Sequence, residues 1–181
     1  FETNFFAAMR MMRLVLPTMR QAGSGAIVNI SSVLARTVGA LGGGYSASKV
    51  AFEAASEALA QEVRRFNIRV VIIEPGFIKT PIFEKNAGPK SNPNSPYNEF
   101  YLRHDRLLAK LLENASPPEL VAEAIQRALK EDWPKLRYLV GEDAKKIEAG
   151  RQVMTDEEWI NIGRAMTVDD YAKIHIKHFG I

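Results

Sequence analysis

Gly25-Ala-Ile-Val-Asn-Ile-Ser-Ser32 is a short apolar run that ends in two hydroxyls, with Gly23 and Ser24 before it. It reads as a strand buried on both faces. Asn67-Ile-Arg-Val-Val-Ile-Ile-Glu-Pro-Gly76 reads as a second such strand, stopped by Pro75-Gly76 and followed by Phe77-Ile-Lys-Thr80. A helical segment reaching about Arg20 precedes the first strand, and another, from about Tyr45 to Phe66, lies between the two. Strands alternating with helices predict an α/β fold with parallel pairing and right-handed crossovers. Ligands on such sheets sit beyond the carboxyl ends of the strands. Ser32 and the Pro75–Thr80 loop both fall there.

Within the central helix, Gly44-Tyr-Ser-Ala-Ser-Lys-Val-Ala-Phe52 sets Tyr45 and Lys49 four residues apart, on one face and one turn apart. A free phenol, with a pKa of about 10, is a poor base near neutral pH. An ammonium at roughly 4 Å in a partly wet site is worth roughly 1–4 kcal/mol to the phenolate. A phenol so placed can exchange a proton with an alcohol or carbonyl oxygen. Tyr and Lys at this spacing also occur on ordinary solvated helices, so the pair takes its meaning from its surroundings. Ser32 precedes Tyr45 by thirteen residues.

In order and spacing, Asn4, Leu16-Pro17, Asn29-Ile-Ser-Ser32, Tyr45-Ser-Ala-Ser-Lys49 and Pro75-Gly-Phe-Ile-Lys-Thr80 closely resemble the short-chain dehydrogenase/reductase family, single-domain type. The resemblance is motif-specific from Phe1 to about Thr80. It continues in pattern through Pro117-Pro118 and its helix to the strand-like Leu136–Gly141. It implies the C-terminal part of a doubly wound, mainly parallel Rossmann-like sheet with helices on both faces, followed by extra C-terminal helices. Residues 1–141 would be the C-terminal portion of that oxidoreductase domain, with a substrate lid over 83–116. Residues 142–181 would be a helical extension packing on the same domain.

The resemblance also implies roles. Tyr45 would be the general acid/base, and Lys49 would ease its proton loss and bind the nicotinamide ribose. Ser32 would hydrogen-bond the reacting oxygen, and Asn4 would hold a water that links Lys49 to solvent. Pro75, Gly76 and Ile78, with the Thr80 hydroxyl, would hold the nicotinamide of NAD or NADP. The implied activity is interconversion of a secondary alcohol and a carbonyl by hydride transfer. A non-catalytic or truncated binding or assembly module is the alternative, and an isomerase or dehydratase using the same Tyr–Lys chemistry is a lesser one. Ser31 competes with Ser32, and the thirteen-residue spacing selects Ser32. Thr80 before Pro81 also reads as a helix N-cap, which is compatible with a ligand role.

A dinucleotide enzyme of this architecture needs a glycine-rich turn where backbone N–H groups meet the pyrophosphate. No such motif occurs in this sequence. Gly42-Gly-Gly44 follows no strand and reads as a flexible active-site loop. The chain starts at Phe1, within a stretch that reads as helix, so roughly 90–110 preceding residues are expected in the whole protein.

Composition fits one intracellular, cytoplasmic globular domain. The 181 residues are 46% hydrophobic and 25% charged, without cysteine, which excludes disulfides and thiolate chemistry. No run of eighteen apolar residues suggests a membrane span. The net charge of +3 is dispersed, and Arg64-Arg65 and Lys145-Lys146 read as solvated helix faces, not nucleic-acid contacts. His175 and His178, three apart with no third ligand, give no metal site.

The remaining signals concern packing. Phe5, Phe6, Met9, Met12, Leu14, Val15 and Leu16 make the first helix apolar on more than one face, and the Tyr45 helix is rich in alanine. The two helices form either a buried pair or the interface of a homodimer or homotetramer. Asn86–Pro96 is rich in turn formers. Tyr97–Leu112 reads as a lid helix whose Tyr97, Phe100, Tyr101, Leu107 and Leu108 face an apolar alcohol or carbonyl, or else pack on the core. This region weakly resembles hydroxysteroid and retinol dehydrogenases. Thr155-Asp-Glu-Glu158 is a capping box, and Thr167 opens a last helix.

Overall fold

Eight consecutive residues, Ile68–Pro75, form the central strand β2, and all but Arg69 are buried. β1 (Gly25–Ile30) lies parallel to it on one side and β3 (Arg137–Val140) parallel on the other. The register runs from Gly25 opposite Ile68 to Ile30 opposite Ile73, and from Ile72 opposite Arg137 to Pro75 opposite Val140. The protein is described by a computed structural model that covers residues 1–85, 92–165 and 167–180.

Strand periodicity sends alternate side chains of β2 to opposite faces. Ile68 and Val70 join Met12, Ile27, Phe52 and Val63 in a core beneath α1 (Ala7–Ala22) and α2 (Gly43–Val63). Val71 and Ile73 face the other way, onto Ala124 and Ala128 of α5 (Glu119–Lys130) and onto Val140. Helices therefore cover both faces of a parallel sheet, as the strand–helix alternation predicts.

Two local readings need correction. β1 is not buried on both faces: Ile27 and Asn29 are buried, but Ile30 is 40% exposed. β1 lies at the sheet edge, paired only with β2 among the described residues. Nor is Gly42-Gly-Gly44 a loop. Gly42 is the N-cap of α2 and its carbonyl accepts from Ser46 N at 2.9 Å, so Gly43 and Gly44 form the first helical turn. That turn lacks intrahelical acceptors for its N–H groups in any case, and tolerates glycine there.

Of the turn-rich stretch Asn86–Pro96, residues 86–91 lie outside the described residues. Before it comes the short α3 (Ile82–Lys85), which begins one residue past the predicted Thr80-Pro81 cap. The segment read as a lid helix forms α4 (Asn98–Glu113). Its fully buried side chain is Arg103, stacked over Phe100 and Tyr171 at 4.4 and 5.8 Å, while Tyr97 is 62% exposed. The helix leans on the C-terminal helix through a cation, where an apolar underside was expected. Pattern alone misses this because a guanidinium stacked on aromatics packs like an apolar group.

The C-terminal elements are α6 (Glu142–Gln152), α7 (Asp156–Asn161) and α8 (Val168–Phe179). Ala144 and Ile147 of α6 pack on Val33 in a short 3-10 turn, Val33–Ala35. Trp159 Nε1 donates to the Val38 carbonyl at 3.1 Å. The predicted capping box is present: Thr155 Oγ1 accepts from Glu158 N, and Glu158 Oε2 accepts from Thr155 N. His175 is sandwiched between Tyr171 and Phe179, a packing role, and burial lowers its proton affinity.

Candidate active site

Tyr45 and Ser32 reach the site from neighbouring elements. β1 ends at Ile30, and the chain turns sharply through Ser31 and Ser32 into Val33–Ala35. Ser32 is extended (φ −165°, ψ 153°) and its Oγ accepts from Leu34 N at 3.2 Å. That bond uses a lone pair and leaves the hydroxyl proton available. Ser31 differs: its hydroxyl donates to Glu53 Oε1 at 2.6 Å in a buried contact. The Ser31 proton is thus committed to Glu53, and that of Ser32 is bound to no side chain or backbone group among the described residues.

Tyr45 stands on the first turn of α2, 43% exposed. Lys49 lies one turn on, with Nζ 5.9 Å from the Tyr45 ring centroid and 5.8 Å from that of Phe52. Its ammonium donates to the Ile30 carbonyl at 2.8 Å, which ties α2 to the end of β1. Burial lowers the proton affinity of Lys49, and the charge of Glu53 partly restores it.

Asn4 sits in a wide turn, Glu2–Phe6, closed by Phe6 N donating to the Phe1 carbonyl at 3.1 Å. Asn4 Nδ2 donates to Ser48 Oγ at 3.1 Å, and Ser48 Oγ donates to the Tyr45 carbonyl at 2.7 Å. Asn4 thus holds the turn that carries Tyr45. Asn4 and Lys49 also line one cavity of about 520 Å³, together with Asn29, Ile30 and Phe52, along the open side of β1. Ser32, Tyr45 and the Pro75–Thr80 loop lie outside its wall.

The Pro75–Thr80 loop leaves β2 under close restraint. Gly76 N donates to the Val140 carbonyl, and Phe77 N to Asp143 Oδ2 at 2.6 Å. Ser116 N donates to the Phe77 carbonyl and Lys79 N to the Ser116 carbonyl, each at 2.9 Å. Ile78 is therefore the bridging residue opposite Ser116, and its own N–H and C=O face away from that bridge. A Cβ on Gly76 would overlap the Asp143 carboxylate, so the loop needs glycine there for close approach.

Sequence patterns missed the ion cluster beneath the site. Glu74, fully buried at the end of β2, accepts from Arg36 Nε at 2.6 Å. Arg137 Nε approaches Glu53 Oε2 at 3.3 Å and Glu74 Oε1 at 3.7 Å. Burial pushes the Glu74 carboxyl up to about 7, with Arg36 opposing and Glu53 adding to the rise. The available signal was a carboxylate closing a strand of four consecutive aliphatics, Val70–Ile73.

Comparison with known proteins agrees with this geometry. The family model described as short chain dehydrogenase matches residues 1–90. A 3-ketodihydrosphingosine reductase of Bacteroides thetaiotaomicron is 38% identical over 145 residues, covering 77% of this chain and 52% of its own length. An uncharacterized oxidoreductase of Schizosaccharomyces pombe is 32% identical over 168 residues, covering 88% and 67%. The crystal structure of a short-chain dehydrogenase from Streptomyces avermitilis superposes with a TM-score of 0.70 at 34% identity, covering 92% of this chain and 61% of that one. The chain spans between about half and two thirds of the length of these relatives. Sheet order and these similarities agree: the chain belongs to the short-chain dehydrogenase family.

Proposed function

We propose that the whole protein is an NAD(P)-dependent oxidoreductase that interconverts a secondary alcohol and a carbonyl, with Tyr45 as general acid/base. The carrying observation is the exposed Tyr45 phenol one turn from the half-buried Lys49 ammonium, with the Ser31–Ser32 turn fixed to the same helix by Glu53. Lys49 sets a positive charge 5.9 Å from the centre of the Tyr45 ring. The Ser32 hydroxyl, its proton uncommitted, donates to the oxygen on which charge develops. Asn4 bonds Ser48, which bonds the Tyr45 carbonyl, and its side of the cavity shared with Lys49 supports a role in holding a relay water.

The residues present fit a nicotinamide cofactor. Ile78 offers an N–H and a C=O turned away from the loop's own ladder, a donor and acceptor suited to a carboxamide. Pro75 and Gly76 shape the loop, the Thr80 hydroxyl adds a donor, and Lys49 and Tyr45 offer polar groups for ribose hydroxyls. The cofactor, when bound, supplies hydride transfer. The Bacteroides relative is named for a keto compound, in line with a bulky apolar alcohol or carbonyl as substrate. Phe6, Met11 and Leu14 leave an apolar face of α1 and its leading turn exposed, which supports a homodimer or homotetramer. Among the described residues no helix is long and apolar enough to cross a membrane.

The test is turnover by the full-length protein on a panel of secondary alcohols and ketones with NAD and NADP. Tyr45→Phe keeps the ring and is expected to lower kcat/KM by about 100-fold or more. Full activity in that variant sinks the mechanism.

A further inference from the structure

Glu53 lies one helical turn beyond Lys49, so Tyr45, Lys49 and Glu53 form a continuous row on α2 at four-residue intervals. The reaction outlined above gives Glu53 no part beyond its bond to Ser31, yet it is buried, and a buried carboxylate needs partners to persist. Its partners come from each limb of the site. Oε1 accepts from Ser31, the neighbour of Ser32. Oε2 faces Arg137 of β3 at 3.3 Å and Arg36, which follows the Val33–Ala35 turn, at 3.8 Å. The same two guanidiniums hold Glu74, the neighbour of Pro75-Gly76.

Charge counting defines the state of this cluster. Arg36, Arg137 and the neighbouring Lys49 supply three positive charges. Glu57 of α2, half-exposed and paired with Arg137 Nη2 at 2.5 Å, supplies one negative charge. Glu53 supplies a second, and Glu148 of α6, as near to Arg36 at 3.8 Å as Glu53 is, supplies a third. An ionised Glu74 would put a further negative charge at a site with no solvent access, with its Oε2 unpartnered among the described residues. Balance is reached with Glu53 ionised and Glu74 protonated.

We propose that Glu53 is a positioning residue for the Tyr45–Lys49 pair: its carboxylate, anchored by Ser31, Arg36 and Arg137 above a neutral Glu74, ties α2 to the Ser32 turn and supports the positive charge of Lys49. This rests on the catalytic reading of Tyr45 and Lys49. The consequence is directional. Burial disfavours the Lys49 ammonium and Glu53 offsets part of that, so removing the Glu53 charge leaves Lys49 easier to deprotonate.

The test uses full-length protein and two readouts. NMR titration of isotope-labelled lysines follows Lys49 directly, independent of any turnover, and the pH profile of kcat/KM follows the reaction. Glu53→Gln is expected to shift the Lys49 titration to lower pH and to move the kinetic profile in the same direction. Glu57→Gln, on the same helix and paired with the same Arg137, is the control and is expected to leave both unchanged. Ser31→Ala removes the anchor without changing the charge, and is expected to lower kcat while leaving the Lys49 titration near its wild-type position. An unmoved Lys49 titration in folded Glu53→Gln, or an equal shift in Glu57→Gln, overturns the proposal. If the titration moves while no alcohol or ketone is turned over, the coupling stands and the catalytic reading of Tyr45 fails.

Discussion

Gly76→Ala tests how the loop after β2 is held. An ideal Cβ on Gly76 would lie 2.5 Å from Asp143 Cγ, where non-bonded carbons rest at roughly 3.5–4.0 Å. An overlap of this size, roughly 1 Å or more, cannot be relieved by small adjustments. The Asp143 side chain is short, begins in the first turn of α6, and accepts from Phe77 N at 2.6 Å, so moving it breaks that bond. Losing a hydrogen bond to a charged acceptor costs about 1.5–3 kcal/mol, and residual overpacking adds about 1–3 kcal/mol. Asp143→Ala alone should cost about 1.5–3 kcal/mol, since Phe77 N–H loses its acceptor and α6 loses a first-turn carboxylate. The double variant decides the matter. With the carboxylate gone, the methyl introduced at position 76 has room, so the double should be no less stable than Asp143→Ala. The coupling would then approach the whole cost of Gly76→Ala. Urea unfolding of the four full-length proteins reads the cycle, and titration with nicotinamide dinucleotide reads the loop. Strictly additive costs, or wild-type stability in Gly76→Ala, would refute the idea that the Asp143 carboxylate occupies the space glycine leaves.

Two further outcomes concern stability. Glu74 holds a proton in the folded protein up to about pH 7, whereas the unfolded chain releases it near the ordinary value of 4.5. Its contribution is therefore fully present below about pH 4.5 and lost as pH rises through about 7, up to about 3 kcal/mol in all. Glu74→Gln lacks this slope, so its stability relative to wild type should rise from about pH 5 to about pH 8 in urea titrations. A parallel pH dependence in the two proteins would place the titration elsewhere. Thr155→Ala removes the acceptor for Glu158 N in the capping box of α7 and should cost about 1 kcal/mol, measured by thermal melting. Wild-type melting would mean that the cap adds nothing to what the Trp159 and Asp156 contacts already supply.

The features legible in the sequence share one property: they are local. Ile68–Pro75 announces itself as a run of aliphatics closed by Pro-Gly, and Tyr45 and Lys49 are brought together by the helix that contains them both. The Thr155–Glu158 cap is legible for the same reason. What escaped is long-range or negative. Ser31 meets Glu53 across 22 positions, Arg36 meets Glu74 across 38, and Arg137 meets Glu53 across 84. No periodicity relates such residues, because the parallel sheet sets strands side by side that are far apart along the chain. The exposed edge of β1 was misread for a related reason. An apolar strand reports that it can be covered on both faces, not how far the elements around it cover each one.

The positions of the missed residues follow a rule that links the two classes. Glu74 precedes Pro75, Ser31 precedes Ser32, and Glu53 follows Lys49 by one turn. Ser31 and Glu74 direct polar side chains to the α2 side, opposite the side taken by the residues next to them. In a strand this is forced, since adjacent residues face opposite ways. A sheet that presents Ser32 and the Pro75 loop at its carboxyl end must therefore direct Ser31 and Glu74 toward α2. Polar groups sent inward have to be satisfied, and α2 answers with Glu53 while β3 and the turn after β1 answer with Arg137 and Arg36. The ion cluster is thus the α2-facing side of the same strand ends that carry the candidate site. That is the physical reason to expect Glu53 substitutions to be felt at Lys49 rather than only in stability.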